Sequence, residues 1–268
     1  MNSYTGADNL EIMAVAVNYN NFLVALIANN MRPGIKVLDI GAGIGTFAKR
    51  LRDVGYDVLC FEPDQKQSEF IRSNGLRVTR SIEEIEKSSI DFIYSLNVLE
   101  HFADDLDALR RWFALLKPGG RMLIYVPAFQ LLFSSMDRKV GHFRRYMKKE
   151  LITKVRIAGF NVVTAEYADS IGFFASIAYK FLGGGSGDIN LRTLIFYDRF
   201  LFPISRALDY FLHRTVGKNV FLIVERPHLR DELSGVSHTS VMGKDQLAGL
   251  CIQVKGLRGF YEYWIAVS

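Results

Sequence analysis

The run Val37-Leu38-Asp39-Ile40 passes directly into Gly41-Ala42-Gly43-Ile44-Gly45 and then into Thr46-Phe47. A short buried strand, a turn of alternate glycines and a helix start leave few folds open. Glycines at such spacing let the chain reverse sharply and bring its backbone against a ligand with no Cβ between. The helix start beyond them offers unbonded N–H groups and a positive dipole end to an anionic group. A unit of this kind belongs to a sheet whose ligands bind at the carboxyl ends of the strands.

The chain downstream keeps the alternation. Strand-like runs are expected at Val37–Ile40, Asp57–Phe61, Leu76–Thr79, Ile90–Ser95, Arg121–Val126, Asn161–Tyr167 and Asn219–Glu225. Helical patterns fall near Gly45–Val54, Asp64–Ser73, Ile82–Lys87, Asp104–Leu116 and Lys148–Ala158. Strands separated by helical crossovers predict an α/β doubly wound domain with helices on both faces of a largely parallel sheet. We place this domain at residues 35–227, with a helical insertion or lid over 168–217. Before it, in 1–34, one amphipathic helix over about Asn9–Asn30 is expected to dock on the domain. Asp8 and Glu11 precede its apolar stretch, no Lys or Arg comes before Arg32, and Asn18, Asn20 and Asn21 interrupt it. Those features argue against a signal peptide or a membrane span. The tail over 228–268 has no assigned structure.

Charge and cysteines narrow the setting. A net charge of +5 favours anionic partners only weakly. Cys60 lies in an apolar run and reads as a buried thiol, and no His/Cys spacing suits a metal, so no metal site is expected. A cytoplasmic location fits this cysteine usage.

Asp39 ends the first strand, where it can face a cationic group such as an ammonium. Glu62 ends the second, where a carboxylate can accept hydrogen bonds from both hydroxyls of a ribose. These residues alone also suit a nicotinamide dinucleotide. The dinucleotide fingerprint, however, needs a third glycine where Thr46 stands.

With DIGAGIG, Glu62, DFIYSLNVLEHFAD (Asp91 to Asp104) and LKPGGRMLIYVP (Leu116 to Pro127) in this order, the chain resembles class I S-adenosylmethionine (SAM) dependent methyltransferases of the ubiquinone/menaquinone type. The GHFRRY segment from Gly141 resembles a bacterial subgroup of them. The resemblance implies a Rossmann-like, seven-stranded, mostly parallel sheet whose last strand is antiparallel. It implies SAM as cofactor, held by Asp39, Gly41, Gly43, Gly45, Glu62, Leu96 and Asn97. Where many relatives carry an acid for the adenine after the third strand, this chain has Arg80 and Ser81. The adenine contact is left unassigned.

The acceptor region is expected after the fifth strand, in Arg138, His142, Arg144, Arg145 and Tyr146, where Arg forks suit an anionic group. A hydroxyl acceptor needs a general base, for which His101 and His142 are the candidates. The aromatic insertion reads as an acceptor lid or a membrane-surface face, which would place the protein at the inner face of the membrane, or equally as extra core or a dimer contact. The sequence therefore points to methyl transfer onto a small-molecule or lipid-linked acceptor, with oxygen as the methylated atom by resemblance. An NAD(P)-dependent oxidoreductase and a non-catalytic scaffold remain as alternatives. The lack of an NPPY-like tetrad or an RNA-binding module argues against a nucleic-acid substrate. Oligomeric state is not legible in the chain.

Overall fold

The computed structural model describes residues 13, 15–181 and 190–228. Seven strands, β1 (Val37–Ile40), β2 (Val58–Phe61), β3 (Arg77–Thr79), β4 (Ile90–Leu96), β5 (Leu116–Pro127), β6 (Asn161–Ala168) and β7 (Asn219–Glu225), form one sheet. Their order is β3-β2-β1-β4-β5-β7-β6. The pairs from β3 through β5 are parallel, and β7 runs antiparallel between β5 and β6. This is the Rossmann-like sheet expected, with the last strand reversed.

The central strands are near-continuous apolar runs because both faces are covered. Helices α1 (Val17–Ala28), α2 (Thr46–Asp53) and α3 (Gln65–Ser73) bring Leu23, Ile27, Ala48, Leu51 and Ile71 to one face. Helices α4 (Asp105–Leu115) and α6 (Lys148–Ile157) bring Leu109, Trp112, Leu151 and Val155 to the other, and α5 (Ser135–Val140) lies between them in sequence. Strand order reverses between β1 and β4, the position at which such sheets open a crevice.

Two local expectations are corrected. The stretch Ile82–Lys87 is no α-helix; it makes a single 3₁₀ turn, Ile82–Glu84. The turn has no side-chain cap at Ser81 and buries none of its residues, so nothing offsets the cost of helix nucleation. The fifth strand begins at Leu116 rather than Arg121, so Pro118-Gly119-Gly120 lies inside it. Its register with β4 shifts between Ile90 and Phe92, and Gly119, at φ +77°, donates its N–H to Arg226 O at 2.8 Å. The glycines thus serve a bulged strand entry.

The insertion has two helical halves. Helix α7 (Ser170–Phe181) follows β6. A second run passes unbroken from α8 (Leu191–Phe196) through a π-helical turn (Tyr197–Leu201) into α9 (Phe202–Leu212). Buried carboxylates tie both halves to the end of β6. Asp209 accepts from the N–H groups of Asp169 and Ser170, both at 2.9 Å, and Asp169 accepts from Ser205 Oγ at 2.9 Å and from Tyr197 Oη. Asp198 of the π turn accepts from the backbone N–H groups of Asn18 (2.9 Å) and Tyr19 (2.8 Å), capping the open start of α1. The chain is not helical at Val15 and Ala16, so the N-terminal helix expected from about Asn9 starts at Val17; residues 9–12 of that expectation, the glycine-rich stretch 183–187 and the tail after 228 lie outside the described residues. Among the described residues, no helix is long and apolar enough to cross a membrane.

Candidate active site

The turn after β1 has the backbone that its glycines predict. Gly41, Gly43 and Gly45 all hold positive φ, at +72°, +58° and +78°. At Gly41 the demand is doubled, since a Cβ there would stand 2.5 Å from Val98 Cγ2. Gly45 precedes the first residue of α2 and packs toward Leu76 and Ile71. Thr46 therefore opens the helix at the place of the third dinucleotide glycine.

Glu62, at the tip of β2, clamps this turn. Its Oε2 accepts Gly43 N–H at 2.8 Å and its Oε1 accepts Asp64 N–H at 3.0 Å. Each carboxylate oxygen keeps a lone pair for a further donor. Burial raises the Glu62 pKa, partly offset by those two backbone donors.

Asp39 is 3% exposed, and its Oδ2 has no hydrogen-bond partner. Burial pushes its pKa up to about 8. A buried carboxyl in this condition is completed by a cation brought to it. Leu96 and Asn97 sit just past β4. Asn97 takes φ +54°, a left-handed conformation that asparagine tolerates, and donates its N–H to Tyr125 O at 2.7 Å. This turn directs Leu96, Asn97 and Val98 to the glycine loop.

All of these groups except Gly45 line one cavity of about 1110 Å³. Arg80 also lines it, on the β3 side where the adenine contact was left open. The glycine cradle that a Cβ would fill, the orphaned Asp39 oxygen and the two-pronged Glu62 fit a nucleoside carrying an ammonium group. Asp39, Glu62 and the glycine turn would hold SAM.

The same cavity continues to the two histidines. The rings of His101 and His142 meet edge to face at 4.7 Å between centroids. His142 Nδ1 lies 2.9 Å from Asp137 Oδ1, and Arg145 grips the same carboxylate through Nε (2.8 Å) and Nη2 (2.9 Å). These bonds hold the Asp137 carboxyl well below the usual carboxylate range despite its burial. Burial and the neighbouring His142 lower His101 to about 4, so it is neutral at physiological pH. Glu100 is 0% exposed, neither carboxylate oxygen has a hydrogen-bond partner, and burial raises it to about 8.

Folding therefore assembles a set that linear spacing did not reveal. Glu100, His101 and His142 bring potential ligand atoms within 4.8 Å of one another, close enough to hold a divalent cation. Glu100 was legible as the acid of LEH, but nothing in the chain marked it as buried. Asp137 is the lone acid of the basic segment Phe129–Lys149, and its role as anchor of that segment follows only from the fold.

The five acceptor-region residues separate. His142 and Arg145 line the cavity. Arg138 is exposed and lies over the Phe133 ring at 6.0 Å. Arg144 and Tyr146 are committed to buried Asp105, at 3.0 and 2.8 Å, which also holds Lys154 at 2.9 Å. Helix α1 and the insertion complete the wall with Tyr19, Leu23, Leu194, Tyr197 and Phe202.

Comparison with known proteins identifies the family of the domain. A family model described as a methyltransferase domain matches residues 18–165, more than half of the chain. The ubiquinone biosynthesis O-methyltransferase of Bradyrhizobium diazoefficiens is 31% identical over 106 residues, which is 35% of this chain and 41% of that protein. A Mycolicibacterium smegmatis protein named as an S-adenosylmethionine-dependent methyltransferase is 27% identical over 148 residues, covering 53% of this chain and 56% of its own length. The chain thus spans about half the length of the curated relatives it matches. Among solved structures, the complex of a Haloferax volcanii methyltransferase with its Trm112 activator superposes with a TM-score of 0.60 at 16% identity. That match covers 85% of this chain and 100% of the other and shows the shared fold.

Proposed function

We propose, from the premise that this chain belongs to the methyltransferase-domain family, that it moves a methyl group from SAM to a hydroxyl of a small-molecule or lipid-linked acceptor. SAM is the cofactor of such a domain, and when bound it supplies a methyl already activated on a sulfonium. The observation that carries the reading is the continuity of the cavity, from the Asp39–Glu62 cradle to the His142–Asp137 pair.

The residues divide the remaining tasks. Asp39 meets a cationic group and Glu62 fixes a ribose, so the cofactor enters in one orientation. Asp137 fixes the His142 ring by its Nδ1 side, leaving Nε2 to take the hydroxyl proton, and it stabilises the imidazolium that results. Neutral His101, whose ring meets that of His142, and Glu100, uncharged at its raised pKa, stand beside it without adding charge. Leu23, Leu194 and Phe202 give the cavity an apolar wall, which disfavours water beside the transferred methyl. The ubiquinone-pathway relative supports oxygen as the acceptor atom and a lipid-linked ring as one acceptor class.

The test combines binding and turnover. Calorimetric titration with SAM, its demethylated product and NADH identifies the cofactor, with Gly41→Arg as the variant that fills the cradle. Transfer from labelled SAM is then measured onto phenolic acceptors with and without an isoprenoid chain. Binding of NADH in place of SAM would return the oxidoreductase reading. SAM binding with a biological role intact in Gly41→Arg would return the scaffold reading.

A further inference from the structure

The helical run from Leu191 to Leu212 is apolar on two sides. Leu194, Tyr197 and Phe202 face the cavity. Facing outward, Leu191, Ile195, Phe200, Ile204, Leu208 and Phe211 are each between 41% and 75% exposed. Their sequence steps are those of one helix face, and the longer step from Ile195 to Phe200 spans the π turn, whose wider winding absorbs the extra residue. Phe196 and Tyr210 flank the row at 56% and 72% exposure. A stripe of this extent does not remain in water without a purpose.

Charge selects the occupant. Within 169–181 and 190–218, the acids Asp169, Asp198 and Asp209 are all buried and committed to backbone N–H groups. Every exposed charged side chain of those residues is basic: Lys180, Arg192, Arg199, Arg214 and Lys218. Arg199 lies over the Phe200 ring at 5.8 Å, setting a cation directly on the apolar row. Arg192 and Arg199 lie on the helical run itself, and an apolar ridge carrying cations, with no exposed acid among the described residues of the insertion, fits the headgroup boundary of an anionic bilayer. A second copy of the same face would oppose like charges.

We propose that the outward face of residues 191–212 docks on an anionic lipid membrane. The helix then stands between the bilayer and the cavity, and its inner face is the wall that a lipid-linked acceptor meets on entry. That last step rests on the proposed acceptor class; the docking itself does not.

The experiment is flotation of the full chain with vesicles of phosphatidylcholine alone and of phosphatidylcholine with phosphatidylglycerol. SAM binding is measured in parallel as a control on the fold and on the proposed cofactor. Binding to the anionic vesicles is expected, falling about tenfold or more in Phe196→Ser/Phe200→Ser/Phe211→Ser. It is also expected to weaken in Arg192→Glu/Arg199→Glu and as salt rises to about 1 M. Both variants should keep SAM affinity. No flotation with either vesicle would overturn the proposal, as would flotation unchanged by the triple substitution. A dimer in solution that the triple substitution dissociates would overturn it in favour of a second copy. Failure to bind SAM with flotation intact would count against the proposed activity and leave the docking surface standing.

Discussion

His142 Nδ1 lies 2.9 Å from Asp137 Oδ1, on a carboxylate whose other contacts come from Arg145 and from the backbone N–H and hydroxyl of Ser134. The imidazole orientation is thus set by a group that is itself fixed. Asp137→Asn keeps the shape of the pair and removes its charge. Turnover should fall by about 10²-fold or more while SAM affinity changes little. Steady-state kinetics beside calorimetry checks this. An unchanged kcat in Asp137→Asn would remove His142 from the role of base.

Asp39 gives the cofactor step a pH dependence. With its pKa near 8, it is largely protonated at neutral pH when no cation faces it. A cationic ligand binds the ionised form, so affinity for SAM should climb with pH between about 6 and 7.5, by at most about tenfold per unit. Asp39→Asn should bind more weakly and flatten that slope. Titrations across this range in both proteins measure it.

Glu100 acts on stability with a defined sign. Its folded pKa of about 8 lies above the ordinary value of 4.5. Its contribution is therefore fully present below 4.5 and is lost as pH rises through 8. Relative to Glu100→Gln, the wild-type protein should lose on the order of a few kcal/mol between those limits. For a chain of this size that is several degrees of melting temperature, at about 2–4 °C per kcal/mol. Melting curves of the two proteins from acid to mildly alkaline pH provide the comparison.

Asp105 and Arg144 separate packing from acceptor recognition. Asp105 is 3% exposed and holds Arg144, Lys154 and Tyr146 together. Asp105→Ala leaves two cations beside an empty site and should cost about 3–5 kcal/mol of stability. Arg144→Ala should lower stability by less, since Lys154 remains, and should leave the acceptor KM unchanged. Arg145→Ala, in the cavity wall, should change KM or kcat. Denaturation curves and kinetics on the three variants distinguish the roles.

Much of the framework was legible because its determinants are local. Val37–Ile40 and Asn219–Glu225 are apolar runs bounded by polar turns, and strands of that kind announce themselves. The glycine turn fixed its own backbone, so Gly41 and Glu62 could be placed from the chain alone. The short run from Ile82 was misleading because its periodicity was too brief to stand without tertiary support. The long-range pairings were hidden. Arg144 and Arg145 are adjacent and chemically alike, yet Asp105 turns one away from the cavity and Asp137 holds the other in its wall. Nothing near them in sequence distinguishes the two. Asp198 sits 180 residues from Asn18, and only the folded sheet brings its carboxylate to the start of α1.

The placement of β7 between β5 and β6 governs how the chain reaches this state. Arg121 on β5 pairs with Glu225 on β7, 104 positions later. As the polypeptide emerges from the ribosome, β5 and β6 each present an open edge that must wait for the end of the insertion. Closure of the sheet is consequently a late, non-local event, and refolding should be slow for a domain of this length. In that interval the bare edges invite pairing with other chains, so yield should depend on protein concentration and on chaperones long after the cofactor cradle has formed.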